Sequence, residues 1–410
     1  MQYGSNNSDD PSTLLSETEV KCIFVSPNYR LGIFGFLASR EICSENVSVE
    51  ANFGFWDQRL ALEWTYENIP SFGGNIDNLT VGGLSAGSYS TFYQLAYDIG
   101  PQNPGKRIIK RIFMWSNGCG VEPKRIGEVQ PQFDGLVDQS GISKDSSAGL
   151  KMKELRNLTT AQVMDLAARM NQKFIRPVLD DGFISGNLFR SIYSGQFGQI
   201  LKNLGIHIMI GDLTQEFHLY KNAYPPTSYS SLIERLNWDF PRDIATTVAA
   251  SVGISELTGS EWKEIFGKIY ADLQVHSTLR GLIQCLSQTL PQSQIHRYRI
   301  DWRTQSVDKT VPAEFGATHA TDLSIWLFGN GEYLTKSEKV VIQEWLKPVA
   351  EFVAGRDVTW GTDDVKKVRY LTSDGKIEIR EDEVWDTKIP LWELTKKVTS
   401  TRTEMIKNRL

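Results

Sequence analysis

Short apolar runs recur along the chain, each followed by turn residues and then by a helical pattern. The runs Val20–Pro27, Leu79–Leu84, Ile109–Trp115, Gly205–Ile210 and Ile295–Trp302 have the length and composition of buried strands. Between them, apolar positions spaced three and four apart predict helices over Gln58–Asn68, Ser88–Ile99, Lys151–Leu155, Thr160–Phe174 and Lys336–Ala354. Strands buried on both faces and alternating with helices predict an α/β fold, a mostly parallel sheet covered by helices on each side. Near the end, Ser373-Asp374-Gly375 lies between two alternating runs in Val368–Arg380, which predicts a hairpin with a glycine in its turn. No repeat, charge block or Pro/Gly/Ser-rich linker divides the 410 residues, so one domain over 1–410 is expected.

Composition narrows the function classes. The chain is 40% hydrophobic and 23% charged, enough for a large core. A net charge of -5 with no basic patch argues against a nucleic-acid partner. No run has the length of a membrane span, and the polar start Met1–Ser12 does not read as a signal peptide, which leaves the compartment open. The four cysteines lie far apart without metal-type spacing. Cys22, inside the first apolar run, is expected to pack as a small buried hydrophobe.

The chemistry centres on Gly83-Leu84-Ser85-Ala86-Gly87, where a strand meets a helix. A serine on such a turn projects its hydroxyl at the carboxyl end of a sheet. A hydroxyl is a weak nucleophile until a base takes its proton, and histidine is the usual base. His207 falls inside an apolar strand, His218 on a polar helix start, and His276 and His296 beside a helix and a strand with no acidic context. His319 differs, lying in the loop Gly316–Asp322 after the last parallel strand. The third member should be a carboxylate after Gly205–Ile210, where Asp212 and Glu216 are both available and spacing does not choose between them.

These residues resemble the type-B carboxylesterases, the group that includes cholinesterases and several fungal lipases. The likeness rests on Asn28-Tyr29-Arg30-Leu31-Gly32 with Gly35-Phe36-Leu37, on Asn52-Phe53-Gly54 leading into Asp57-Gln58-Arg59-Leu60, and on Phe72-Gly73-Gly74-Asn75 before the serine turn. The resemblance implies an α/β-hydrolase fold with a helical cover from Gly118–Leu204 and Phe217–Gln294, and hydrolysis of small carboxylic esters. It implies Ser85 as nucleophile, His319 as base, Glu216 rather than Asp212 as acid, and the N–H of Ala86 in the oxyanion hole. It further implies a structural ion pair between Arg30 and Asp57, and a helix-start role for Asp322. Hydrolysis through such a serine implies no metal or organic cofactor.

Three positions depart from the pattern. Leu84 replaces an acidic residue before the nucleophile, and Phe217 replaces the glycine after the acid. The glycine-rich stretch that supplies further oxyanion donors in the family would precede Met1, so the domain is expected to be N-terminally incomplete. The alternative expectation is a catalytically impaired or non-enzymatic binding or adhesion protein of the same family. The incomplete start predicts an in-frame His-Gly-Gly segment in the genomic sequence upstream of Met1; reading that sequence and finding none overturns the expectation.

Overall fold

In the computed structural model, which describes residues 4–5, 9–45, 51–170, 174–253 and 257–407, the strands form one six-stranded sheet in chain order. They are β1 (Thr80–Leu84), β2 (Arg111–Trp115), β3 (His207–Leu213), β4 (Ile295–Ile300), β5 (Lys367–Leu371) and β6 (Ile377–Glu381). The first five pair in parallel, and β6 folds back antiparallel on β5. The predicted hairpin turn is present, with Gly375 at φ 80 and its N–H donating to Thr372 O.

Side-chain alternation along the strands builds two apolar layers, one on each face. Ile208 and Ile210 of β3 join Phe92, Leu95 and Ile112 on one face, while Met209 and Leu213 join Tyr298, Trp326 and Trp345 on the other. The helix Ala86–Ile99 covers the first face, and Lys336–Ala354 covers the second. Lys336–Ala354 has the predicted bounds because both ends are marked: Thr335 and Glu338 form a capping box, and Gly355 closes the helix at φ 73. Helices Tyr229–Asp239, Arg242–Ser251 and Gly259–Ala271, between β3 and β4, pack around their own apolar cluster of Leu232, Leu236, Ile244 and Phe266.

Register sets where the loops leave the sheet. Leu84 lies opposite Trp115, Trp115 opposite Gly211, and Gly211 opposite Tyr298. One row therefore crosses four strands, and the segments beyond it emerge together at the carboxyl end. Strand β3 continues past the predicted Ile210 to Leu213, taking in Asp212. The helix predicted over Thr160–Phe174 stops at Arg169, and residues 171–173 lie outside the described residues.

Two expectations are corrected. Val20–Pro27 is extended but belongs to no strand, and Ile23, Phe24 and Val25 are 46%, 41% and 45% exposed. The neighbouring edge of β1 does not pair with it, because a groove of about 800 Å3 separates the two. Cys22 sits on this unpaired segment and is exposed rather than buried, for the same reason.

The first layer is anchored by an internal charge pair. Asp98, fully buried near the end of the helix over β1, accepts from Arg59 Nη1 at 2.7 Å and from the N–H groups of Ile108 and Ile109 at 3.0 and 3.1 Å. Arg59 is itself 2% exposed. Removing one partner of such a pair strands the other charge, which typically costs about 3–5 kcal/mol. Asp98→Ala is accordingly expected to lose about that much stability, read as a lower urea midpoint; a loss under 1 kcal/mol would contradict the assignment.

Candidate active site

Ser85 stands between the last residue of β1 and the first residue of the helix Ala86–Ile99. Its backbone is at φ 56 and ψ -113, a region that non-glycine residues rarely adopt and that costs on the order of 1–3 kcal/mol. The strain is held by Ser85 N–H donating to Trp115 O at 2.8 Å and by the helix closing behind it through Tyr89 N–H to Ser85 O. Gly83 permits the tight turn, since a Cβ there would come within 2.6 Å of the Gly87 backbone. Ala86 opens the helix, so its N–H has no intrahelical acceptor and lies at the positive end of the helix dipole.

Glu216 lies on the turn just past β3 and is fully buried. Its Oε1 accepts from Leu213 N–H at 2.9 Å, and its Oε2 lies 2.6 Å from His319 Nδ1. A carboxylate can only accept, so Nδ1 carries the proton and Nε2 is left as the basic nitrogen. Burial works to raise the Glu216 carboxyl, but the charge and hydrogen bond of His319 outweigh it and hold the group below its ordinary value. The two loops are stitched together: Gln215 N–H donates to Ala317 O, and Thr318 Oγ1 donates to Gln215 O at 2.7 Å.

His319 is 7% exposed, and its Nε2 is buried without a hydrogen-bond partner. The Tyr220 hydroxyl lies 3.5 Å from His319 Nδ1 and near the Ser85 side chain. Burial first, and the Glu216 charge second, push that phenol well above its usual range, so it stays neutral. The structure thus joins Glu216 and His319 directly and places Tyr220 near both His319 and Ser85, while His319 Nε2 makes no hydrogen bond to Ser85. Tyr220 was not visible as a site residue in the sequence; its only signal is its position four residues after Glu216, on the helix Phe217–Tyr220.

Asp212, the other acidic candidate, has a different partner. It lies 2.6 Å from His276 Nδ1 and accepts from Arg280 Nη1 at 2.7 Å, with Arg299 Nη1 at 3.6 Å. Burial opposes its ionisation, but the Arg280 and Arg299 charges hold it well below the usual carboxylate range. Arg280 continues to Asp382, which also takes Arg297. His276, read from sequence as lacking acidic context, is therefore part of a buried ion network. The Arg30–Asp57 pair forms as expected, bidentate at 2.8 and 2.7 Å, though half of the Arg30 side chain is exposed.

Comparison with known proteins decides the family. The carboxylesterase family profile matches residues 1–367. The chain belongs to the carboxylesterase family. It is 37% identical over 408 residues to a carboxylic ester hydrolase of Gibberella moniliformis, covering 96% of this chain and 75% of that protein. It is 36% identical over 386 residues to an uncharacterized esterase/lipase of Schizosaccharomyces pombe, covering 92% and 71% of the two chains. The crystal structure of Aspergillus niger EstA superposes with a TM-score of 0.73 at 19% identity, over 96% of this chain and 78% of that one, which fixes the fold. This carboxylesterase is an α/β-hydrolase, and among its described residues no helix is long and apolar enough to cross a membrane.

Asp322, three residues after His319, precedes the helix Leu323–Trp326 and accepts from Trp326 Nε1 at 2.7 Å. Burial pushes its carboxyl up to about 7. An acid whose folded value is raised binds its proton more tightly folded than unfolded, so it stabilises below the unfolded value of 3.8 and loses that stabilisation as pH rises through about 7. Stability is therefore expected to fall between pH 4 and 7 through this group, and Asp322→Asn should flatten the trend. Denaturant midpoints at pH 5 and pH 8 check it; an unchanged difference in the variant would rule Asp322 out as the source.

Proposed function

We propose that this carboxylesterase hydrolyses carboxylic esters through Ser85, His319 and Glu216, by way of an acyl-enzyme. The observation that carries the reading is the 2.6 Å bond between Glu216 and His319 Nδ1, which leaves Nε2 as the basic nitrogen and without a partner, together with a serine on a strained turn at the same carboxyl end of the sheet. Membership of the family and relatives named as ester hydrolases support the reaction class.

In this reading the ester carbonyl carbon is attacked by Ser85 Oγ as its proton passes to His319 Nε2. Glu216 holds the ring in the productive tautomer and stabilises the imidazolium, without itself taking the proton. Negative charge grows on the former carbonyl oxygen, and the Ala86 N–H at the helix start faces it. Collapse of the tetrahedral species breaks the ester C–O bond, and His319 returns the proton to the departing alcohol. Water then adds to the acyl-serine with His319 again as base, which releases the acid and restores Ser85.

A second reading, a weakly active or purely binding protein of the family, is favoured by one feature. No hydrogen bond joins Ser85 to its base, since His319 Nε2 is buried without a partner. A fluorophosphonate probe separates the two. Hydrolysis predicts covalent labelling of the folded chain that disappears in Ser85→Ala, with p-nitrophenyl ester turnover lowered roughly 10⁴-fold in Glu216→Gln. A folded wild-type chain that takes no label would establish the binding reading.

A further inference from the structure

The helical cover brings a second set of charged residues toward the site. Arg176 donates from Nε to Asp239 Oδ1 and from Nη2 to the Tyr270 hydroxyl, both at 2.6 Å. Tyr270 packs on Tyr220 with ring centroids 5.0 Å apart, and Tyr220 packs on His319 at 5.3 Å. A short run of contacts therefore leads from the guanidinium to the imidazole. On the other side, Tyr89 lies one helical turn after Ser85, on the same face of the helix Ala86–Ile99, and within electrostatic reach of Arg176.

Charge, access and free hydrogen-bonding capacity together say what this corner takes. Asp239 is fully buried and also accepts from Arg235 Nη1 at 2.7 Å, and among the described residues it is the only carboxylate bonded to either arginine. One carboxylate against two guanidiniums leaves a net positive charge. Lys124 adds a further cation within reach of both Asp239 and Arg176. Arg176 is enclosed by the cover, yet 29% of its side chain is accessible, so its open side faces a cleft within the protein rather than bulk water. Ser85 and Tyr89 are also partly accessible. With Nε and Nη2 holding Asp239 and Tyr270, Nη1 is the uncommitted donor nitrogen of Arg176 among the described residues. A guanidinium fixed on two of its nitrogens is pre-organised, and its charge and planar donors match a carboxylate.

We propose that Arg176 is a specificity-determining residue, binding a carboxylate that the ester carries several bonds from its scissile carbonyl, as a monoester of a dicarboxylic acid does. One helical turn rises about 5.4 Å, so a chain leaving Ser85 must pass Tyr89 before its charged end meets the guanidinium. The resulting preference in turnover depends on the hydrolysis proposed above, whereas the binding of the carboxylate does not.

The test separates binding from turnover. Calorimetry on Ser85→Ala at pH 7 compares monomethyl adipate with dimethyl adipate, which differ by one negative charge. The charged ester is expected to bind roughly tenfold more tightly. Arg176→Gln in the same background should abolish that preference. Arg176→Lys keeps the charge but loses the planar fork, so it should keep only part of the preference, and it decides the matter if circular dichroism shows the glutamine variant unfolded. In the wild-type chain, mono-p-nitrophenyl adipate should then surpass p-nitrophenyl hexanoate in kcat/KM, through a lower KM. Equal binding of the two adipate esters overturns the assignment, and so does a preference undiminished in the folded Arg176 variants. Tighter binding of the charged ester with no turnover of either chromogenic ester supports the carboxylate site and removes the hydrolysis reading instead.

Discussion

The bond between Glu216 and His319 is the interaction around which the rest of the site is arranged. Its two ends lie 103 residues apart in sequence and come from loops after neighbouring parallel strands. Parallel pairing makes both loops leave from one end of the sheet, and the shared row through Gly211 and Tyr298 brings them level. The short contacts between Gln215, Ala317 and Thr318 then lock loop to loop, so the carboxylate and the imidazole meet without depending on either side chain's flexibility.

A buried carboxylate at that position needs help, and the surroundings provide it asymmetrically. Glu216 is kept ionised by the Leu213 N–H and by His319, whereas Asp322, only three residues after the histidine in sequence, is driven toward its neutral form by burial. Two buried acids near one imidazole are thus shifted in opposite directions, Glu216 toward its charged form and Asp322 toward its neutral one. The difference lies in partners: one accepts from a charged-assisted donor, the other only from an indole N–H. The Asp212 and Asp382 network does comparable work beneath, joining β3, the helix carrying His276 and Arg280, and the C-terminal strands through buried arginines. Such a network contributes geometry more than net stability, because each ion must first be stripped of water.

The sheet is uneven in the same physical sense. Its interior strands are sealed on both faces, with β4 buried along its whole length, while β1 keeps an open edge and an exposed glycine. The turn that carries Ser85 therefore follows an edge strand, and the only neighbouring strand it is tied to among the described residues is β2, through Trp115 O.

Much of this was legible in the sequence, for reasons of periodicity and turn chemistry. Apolar runs located β1 to β4 within a few residues, helical periodicity located Lys336–Ala354, and the glycines around Ser85 marked the strained turn. These are local properties, set by which side chains neighbour one another along the backbone. What the chain alone left open were pairings across space. Spacing did not choose between Asp212 and Glu216 and only the family resemblance pointed to Glu216; which carboxylate faces His319, which is claimed by His276, and where Tyr220 packs are seen only in the fold. Val20–Pro27 has the composition of a strand but is not one, because a strand exists only where another edge lies alongside to receive its hydrogen bonds, and that is a property of the folded neighbours rather than of the segment.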